Sequence, residues 1–240
     1  MCLWRLLWGS HGTDIPSVIV EHHVVEIATK ILEIESTPLA LKVASIRVLN
    51  GIAANDNSFH GRMIPDTLNA VLVLLKSDAI DPHLQSVAVG FIGILAYHEP
   101  SRKSVVDCGA LEPLQRVIEQ EREAAPNAVI AIGNLIGRSE DFDPADKLFQ
   151  IITGKAMISK VVDILAATLD GRKIGAIAFR VWEVAMSVHN LSINETNKEQ
   201  LVKLGVSLCV VCVYVCAFIE NLILMYVCVC VCVCVDENVY

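Results

Sequence analysis

An apolar template of the form φ-x-x-φ-x-x-φ-φ recurs along the chain. It reads Val25, Ala28, Ile31, Leu32, then Leu68, Val71, Leu74, Leu75, then Leu111, Leu114, Val117, Ile118, and finally Ile158, Val161, Ile164, Leu165. The copies start 43, 43 and 47 residues apart. Steps of three and four place each set on one face of a helix, so every copy predicts an amphipathic helix whose apolar stripe must find a neighbour. A second, Ala-rich apolar stretch follows each copy, at 39–54, 84–97, 127–136 and 174–191. Counted from the start of the template, a small or amide residue near the end of that stretch (Asn50, Gly93, Asn134, Asn190) falls 25, 25, 23 and 32 residues on. The register holds three times and then lengthens.

A shorter helical signal precedes the later templates, at 57–65, 101–107 and 146–153, and appears once more at 196–204. Gly109, Gly154 and Gly205 close three of these signals, as left-handed stops before the next helix. Pro38, Pro82 and Pro126 stand at or just before the third helix, where a missing N–H costs little. Ser101 and Asp146 are candidate N-caps for the short helices. No stretch before residue 206 alternates as a strand would. The chain therefore reads as all-α, built from three-helix units that repeat about every 43 residues.

Three stretches give this unit a family likeness: Val106-Asp107-Cys108-Gly109-Ala110-Leu111-Glu112-Pro113-Leu114, Ala131-Ile132-Gly133-Asn134-Leu135 and His189-Asn190-Leu191-Ser192. They resemble the armadillo repeat, and 198–205 looks like a further first helix. The resemblance implies a right-handed α-solenoid over residues 18–205, with repeats at 18–55, 56–98, 99–138 and 139–192 and the start of a fifth at 193–205. Residues 1–17 read as a remnant of a preceding helix or repeat, and 206–240 as a separate low-complexity tail. In such proteins the third helices line a concave groove, and an Asn near their ends holds an extended peptide by donating and accepting at once. Asn50, Asn134 and Asn190 match that place, with Arg47 and Arg180 as charge contacts to an acidic peptide. The alternative, that these amides merely finish helices or bond a neighbouring turn, stays open. Importin-like carriers set a Trp four residues before the Asn, but here those positions are Ile46, Ile130 and Met186. The likeness does not extend to nuclear-signal recognition.

Charge and chemistry narrow the function. Residues 206–240 hold three acids and no Lys or Arg, so residues 1–205 carry 24 acids against 19 bases, a mild excess that hints at a basic partner. With no basic stripe, nucleic acid is not an expected partner. Only Cys2 and Cys108 lie outside the tail, which is no disulfide framework, and the first residues lack the apolar run of a signal peptide. A cytoplasmic location is expected, with the nucleus also open. His22, His23, His60, His83, His98 and His189 form no metal spacing and fall near helix ends or turns. Cys108 reads as a core thiol rather than an activated one. The acid cluster 140–146 lacks the glycine an EF-hand requires, and no phosphate-binding or nucleophile motif occurs. No cofactor or metal is expected, nor catalysis. The leading expectation is a scaffold that binds a partner protein or extended peptide. The alternatives are a regulatory or oligomerisation part of a larger enzyme or signalling protein, and a membrane-tethered adaptor.

The last alternative rests on the tail, where 227–235 alternates Val and Cys without a break. That alternation is what a TG dinucleotide repeat encodes, and Val206-Ser207 is what a read-through splice donor encodes, so translated intron is the leading reading. The two apolar stretches, 206–219 and 222–235, are each shorter than a membrane span, and joining them sets Glu220 mid-span at a cost of about 2.5–3.5 kcal/mol. A metal-thiolate tract is the third reading, against which the lack of polar spacers counts. Deleting 206–240 is expected to raise solubility without loss of helix, read by circular dichroism and sedimentation. Loss of cooperative unfolding in the shortened chain would make the tail structural.

Overall fold

The computed structural model describes residues 23–55, 64–136, 155–174, 177–192 and 195–206. Its helices are α1 (Val24–Glu33), α2 (Leu39–Asn55), α3 (Ile64–Leu75), α4 (Pro82–Tyr97), α5 (Glu99–Asp107), α6 (Leu111–Glu119), α7 (Ala125–Ile136), α8 (Lys155–Leu169), α9 (Val181–Leu191) and α10 (Glu195–Lys203). Among the described residues the only β pairing is an isolated bridge between Ile174 and Ile177. The template helices are α1, α3, α6 and α8, and the third helices are α2, α4, α7 and α9. The segment 1–17, the short helix expected at 146–153 with Asp146 and Gly154, and the Val-Cys tail lie outside the described residues. Of the short helix expected at 57–65 only Ile64 and Pro65 are described, and they open α3.

The chain divides into two compact bodies, Met1–Ala131 and Ile132–Tyr240. In the first, α1 packs on α2 within its repeat and on α3 of the next, while α2 packs on α4. Like helices of consecutive repeats thus lie together, second on second and third on third. The reason lies in the template: Val25, Leu68, Val71, Leu114 and Val117 are almost wholly buried, and only Ile31 and Leu74 of the first three copies stay half-open. Burying a Leu, Ile or Val side chain contributes about 1.5–3 kcal/mol. A ten-residue helix such as α1 has no comparable source of stability alone. The third helices are apolar on more than one side, as α4 shows by burying Leu84, Ala88, Val89, Phe91, Ile92, Leu95 and Ala96.

Polar groups inside the first body are paired across repeats. Thr29 Oγ1 donates to the Val25 carbonyl at 2.9 Å and lies 2.8 Å from Thr67 Oγ1. One hydroxyl has one proton, so Thr67 is the donor between them. Arg102, on α5, sends Nε to the Ala96 carbonyl at 2.8 Å and Nη2 to the Tyr97 carbonyl at 3.0 Å. A cation on the last carbonyls of α4 also complements the helix dipole.

Glycine ends three helices in the same way. Gly109, Gly171 and Gly205 have φ of 78°, 67° and 81°, and the residue after each donates back five positions, Ala110 to Val105, Arg172 to Ala167 and Val206 to Leu201. These are Schellman closures, in which the left-handed residue lets orphan carbonyls find donors. Gly109 and Gly205 stand where the sequence placed a stop, whereas Gly171 ends a template helix instead. Two expectations are corrected here. Ser101 is a fully buried residue inside α5, whose N-cap is His98. The fourth repeat's third helix starts at Val181 rather than Ile174, because Gly171 turns the chain and Ile174 and Ile177 spend their backbone groups on each other instead of in a helix. The lengthened register is absorbed by this connection.

In the second body α8 packs on α9 and α10, and Ile158, Val161 and Ile164 line its core. Leu114→Ala is expected to cost about 2–5 kcal/mol by leaving a cavity. Val73→Ala, at a side chain 66% exposed, should stay within about 0.5 kcal/mol. Urea unfolding of the two variants checks the contrast.

Candidate functional site

The amide series on the third helices takes two forms. In the first body Asn50 sits near the end of α2, half-buried, and its Nδ2 reaches the Val87 carbonyl on α4 at 3.5 Å, the outer limit of a hydrogen bond. Its Oδ1 has no donor. One turn earlier Arg47 Nη2 lies 3.0 Å from His83 Nε2 on α4. A guanidinium has no acceptor, so the imidazole Nε2 is the acceptor in this contact. Arg47 and Asn50 therefore reach across to the same neighbouring helix from consecutive turns of α2. His83 occupies the first turn of α4, behind Pro82 and the cap Asp81, whose carboxylate accepts from the His83 and Leu84 N–H groups at 2.9 and 3.1 Å.

Gly93 replaces the amide in α4. A Cβ there would lie 3.9 Å from Ala131 Cβ, an ordinary contact. Gly90, the position one repeat beyond Arg47, would place its Cβ in open space.

In the second body the amides face each other. Asn190 Nδ2 donates to Asn134 Oδ1 at 3.2 Å, and the two residues are 0% and 3% exposed. Asn190 Oδ1 has no donor. Leaving a buried polar group unsatisfied costs about 1–3 kcal/mol, so either amide alone would be worse placed than the pair. Gly133 lets the helices approach, since a Cβ at that position would fall on Ser187 Oγ and lie 3.4 Å from Ser187 Cβ. Asn134 and Asn190 thus lie buried against each other, against the expectation of exposed groove amides. Arg180 also departs from its expected place. It is the exposed N-cap of α9, at the opposite end of that helix from Asn190, and its backbone N–H donates to Glu183 Oε2 at 2.8 Å. The structure brings Arg47 and Asn50 together, and separately Asn134 and Asn190.

His83, the Val87 carbonyl, Gly133 and Ser187 are the site partners that sequence reasoning missed. The repeat period pairs Arg47 with Gly90, but a helical side chain leans toward the helix N-terminus and covers the preceding turn. His83 lies two turns before Gly90, in the direction of that lean and within reach of a side chain as long as Arg.

Other candidate chemistry stays modest. Cys108 is the half-buried C-cap of α5, and burial, with the neighbouring Asp107, pushes its thiol up, away from an activated nucleophile. His23, His83, His98 and His189 lie at or near helix ends. Among the described residues no three His, Cys, Asp or Glu converge as a metal site, and no helix is long and apolar enough to cross a membrane.

No protein-family model matches the chain, and no curated protein does. Solved structures do. A designed armadillo repeat protein in complex with the peptide (KR)4 superposes with a TM-score of 0.58 at 19% identity, covering 94% of this chain and 88% of that one. A second designed armadillo repeat protein gives 0.55 at 17% identity, with coverage of 94% and 88%. An engineered protein gives 0.60 at 17% identity, with coverage of 95% and 88%. The fold is thus an all-α solenoid of armadillo-like repeats.

The contact between Gly133 and Ser187 yields a test. Gly133→Ala is expected to destabilise the protein by about 1–3 kcal/mol, through overpacking. Because removal of Oγ leaves only a 3.4 Å contact, adding Ser187→Ala should recover part of that loss. A double-mutant cycle in thermal unfolding reads the coupling, and purely additive effects would contradict the close approach.

Proposed function

We propose that the protein is a non-catalytic scaffold that binds an extended segment of a partner protein along its third helices, centred on α2 and α4. The carrying observation is the state of Asn50. Its amide holds one bond of 3.5 Å and an undonated carbonyl oxygen, so it has both a donor to redirect and an acceptor to fill. An extended peptide backbone offers one N–H and one C=O per residue, the complement of a side-chain amide. A rotation of Asn50 outward exchanges the 3.5 Å contact for two such bonds.

Asn134 and Asn190 play a different part in this reading. Each is paired with the other in a buried contact, so they fix the spacing of the third helices rather than touch ligand. The designed neighbour with its bound peptide supports the general use of such a surface. The absence of phosphate-cradling or nucleophile motifs in the sequence agrees with a binding role.

Selection of octapeptides from a random display library on the full chain supplies ligands for the test. Asn50→Ala is expected to weaken the selected peptides by about 1–3 kcal/mol with little change in melting temperature. Asn134→Ala should lower the melting temperature and leave affinity nearly intact. The reverse pattern would place the binding surface elsewhere.

A further inference from the structure

Thr67 marks the side of a second helix that meets the preceding repeat, since its hydroxyl lies 2.8 Å from that of Thr29 on α1. Ala70, one turn on along the same side of α3, is buried as well. One period back, Val24 and Ile27 hold these two places. They begin a second apolar stripe on α1, Val24, Ile27, Ile31 and Ile34, in steps of three and four. None of the four is buried, and Ile27 and Ile34 are 55% and 54% exposed. On α2, Leu41 is exposed too, whereas Leu84, its counterpart on α4, is buried. Four of the seven large apolar side chains exposed among the described residues, Ile27, Ile34, Leu39 and Leu41, therefore gather at one end of the first body. The other three, Val73, Leu169 and Val202, stand singly on α3, α8 and α10.

The chain enters α1 through a left-handed residue. His23 has φ of 56° and stands 86 residues, two periods of 43, before Gly109, whose φ of 78° turns the chain from α5 into α6. Because α5 packs on α3 and α4 of the repeat before its own, the same turn at His23 directs the upstream chain to the preceding side of α1 and α2. That is the side of the open stripe. Upstream, residues 3–8 consist of Leu3, Trp4, Arg5, Leu6, Leu7 and Trp8, five apolar side chains in six. We propose that this segment folds back on the stripe of α1 and the start of α2 and covers them, taking the place that a preceding repeat takes for α3 and α4. The link 9–14 holds no large apolar side chain and extends to about 20 Å, more than the roughly 15 Å length of the ten-residue α1. So short a tether keeps the segment at high local concentration over the stripe. Each Trp brings about 150–250 Å² of surface to be buried there.

Trp4 and Trp8 report on the segment directly, because Trp182 is the one other tryptophan of the chain. In the full chain carrying Trp182→Phe, their emission is expected to be blue-shifted from that of a free peptide of residues 1–12, with acrylamide quenching at least about threefold weaker. Ile27→Asp with Ile34→Asp should return both readings to those of the peptide while helix content by circular dichroism holds. If the aspartates cost helix, Ile27→Ser with Ile34→Ser reads the same release. Val73→Asp, at an exposed position of α3 outside the stripe, should change neither reading. Peptide-like emission in the Trp182→Phe chain, protection that survives substitution of the stripe, or equal release by Val73→Asp overturns the proposal. Protection that fades on dilution as a dimer dissociates in sedimentation gives the stripe to a second copy, and overturns it too. So does protection gained only on adding phosphatidylcholine vesicles, which gives the segment to a lipid surface.

Discussion

A stripe of four apolar side chains on a short helix cannot be buried by its own repeat, and the rest of the structure follows from that shortfall. Val25, Ala28 and Leu32 cover one side of α1, and α2 and α3 pack against that helix. The same need recurs at the same template positions in α3, α6 and α8, and within the first body α1 is finished by α3 of the next repeat. Repetition is therefore a physical requirement of this sequence. The positions of Ile27 and Leu41 make the point from the other direction. They are 55% and 45% exposed in the first described repeat, whereas Ala70 and Leu84, one period on, are 7% and 5% exposed.

Stacking like on like forces the third helices together, and the residues between them decide what remains for a ligand. Where Gly133 admits Ser187 and Asn134 meets Asn190, the polar atoms turn on one another and the surface closes. Where Asn50 reaches Val87, the contact is long and the amide oxygen has no donor. One sequence position in the repeat thus makes a short buried pair in the second body and a long contact in the first.

Much of the fold was legible because helix periodicity and repeat period are both written in apolar residues. The template positions, the third helices and the stops at Gly109 and Gly205 follow from burial and backbone stereochemistry alone. The start of α9 was not legible, because Ile174 and Ile177 have the apolar character of a helix and only tertiary placement turns them into a bridge. Ser101 looked like a cap because a hydroxyl before a helix usually is one, but the helix begins two residues earlier and buries it. For the site, sequence located the amides and Arg47 but could not tell a buried Asn pair from a surface one. Spacing fixes which residues share a register, while the closeness of two helices depends on a single glycine.

Everything above depends on second helices of consecutive repeats lying in direct contact, and one cross-repeat pair reports that contact with no ligand and no mutation. Thr29 and Thr67 are 38 residues apart in sequence, and their hydroxyls lie 2.8 Å apart. Nuclear Overhauser spectroscopy on the full chain with labelled threonine methyls should show a strong cross-peak between these two side chains. Its absence, with both residues still showing the cross-peaks of their own helices, would mean that α1 and α3 form without stacking and that the repeat account is wrong.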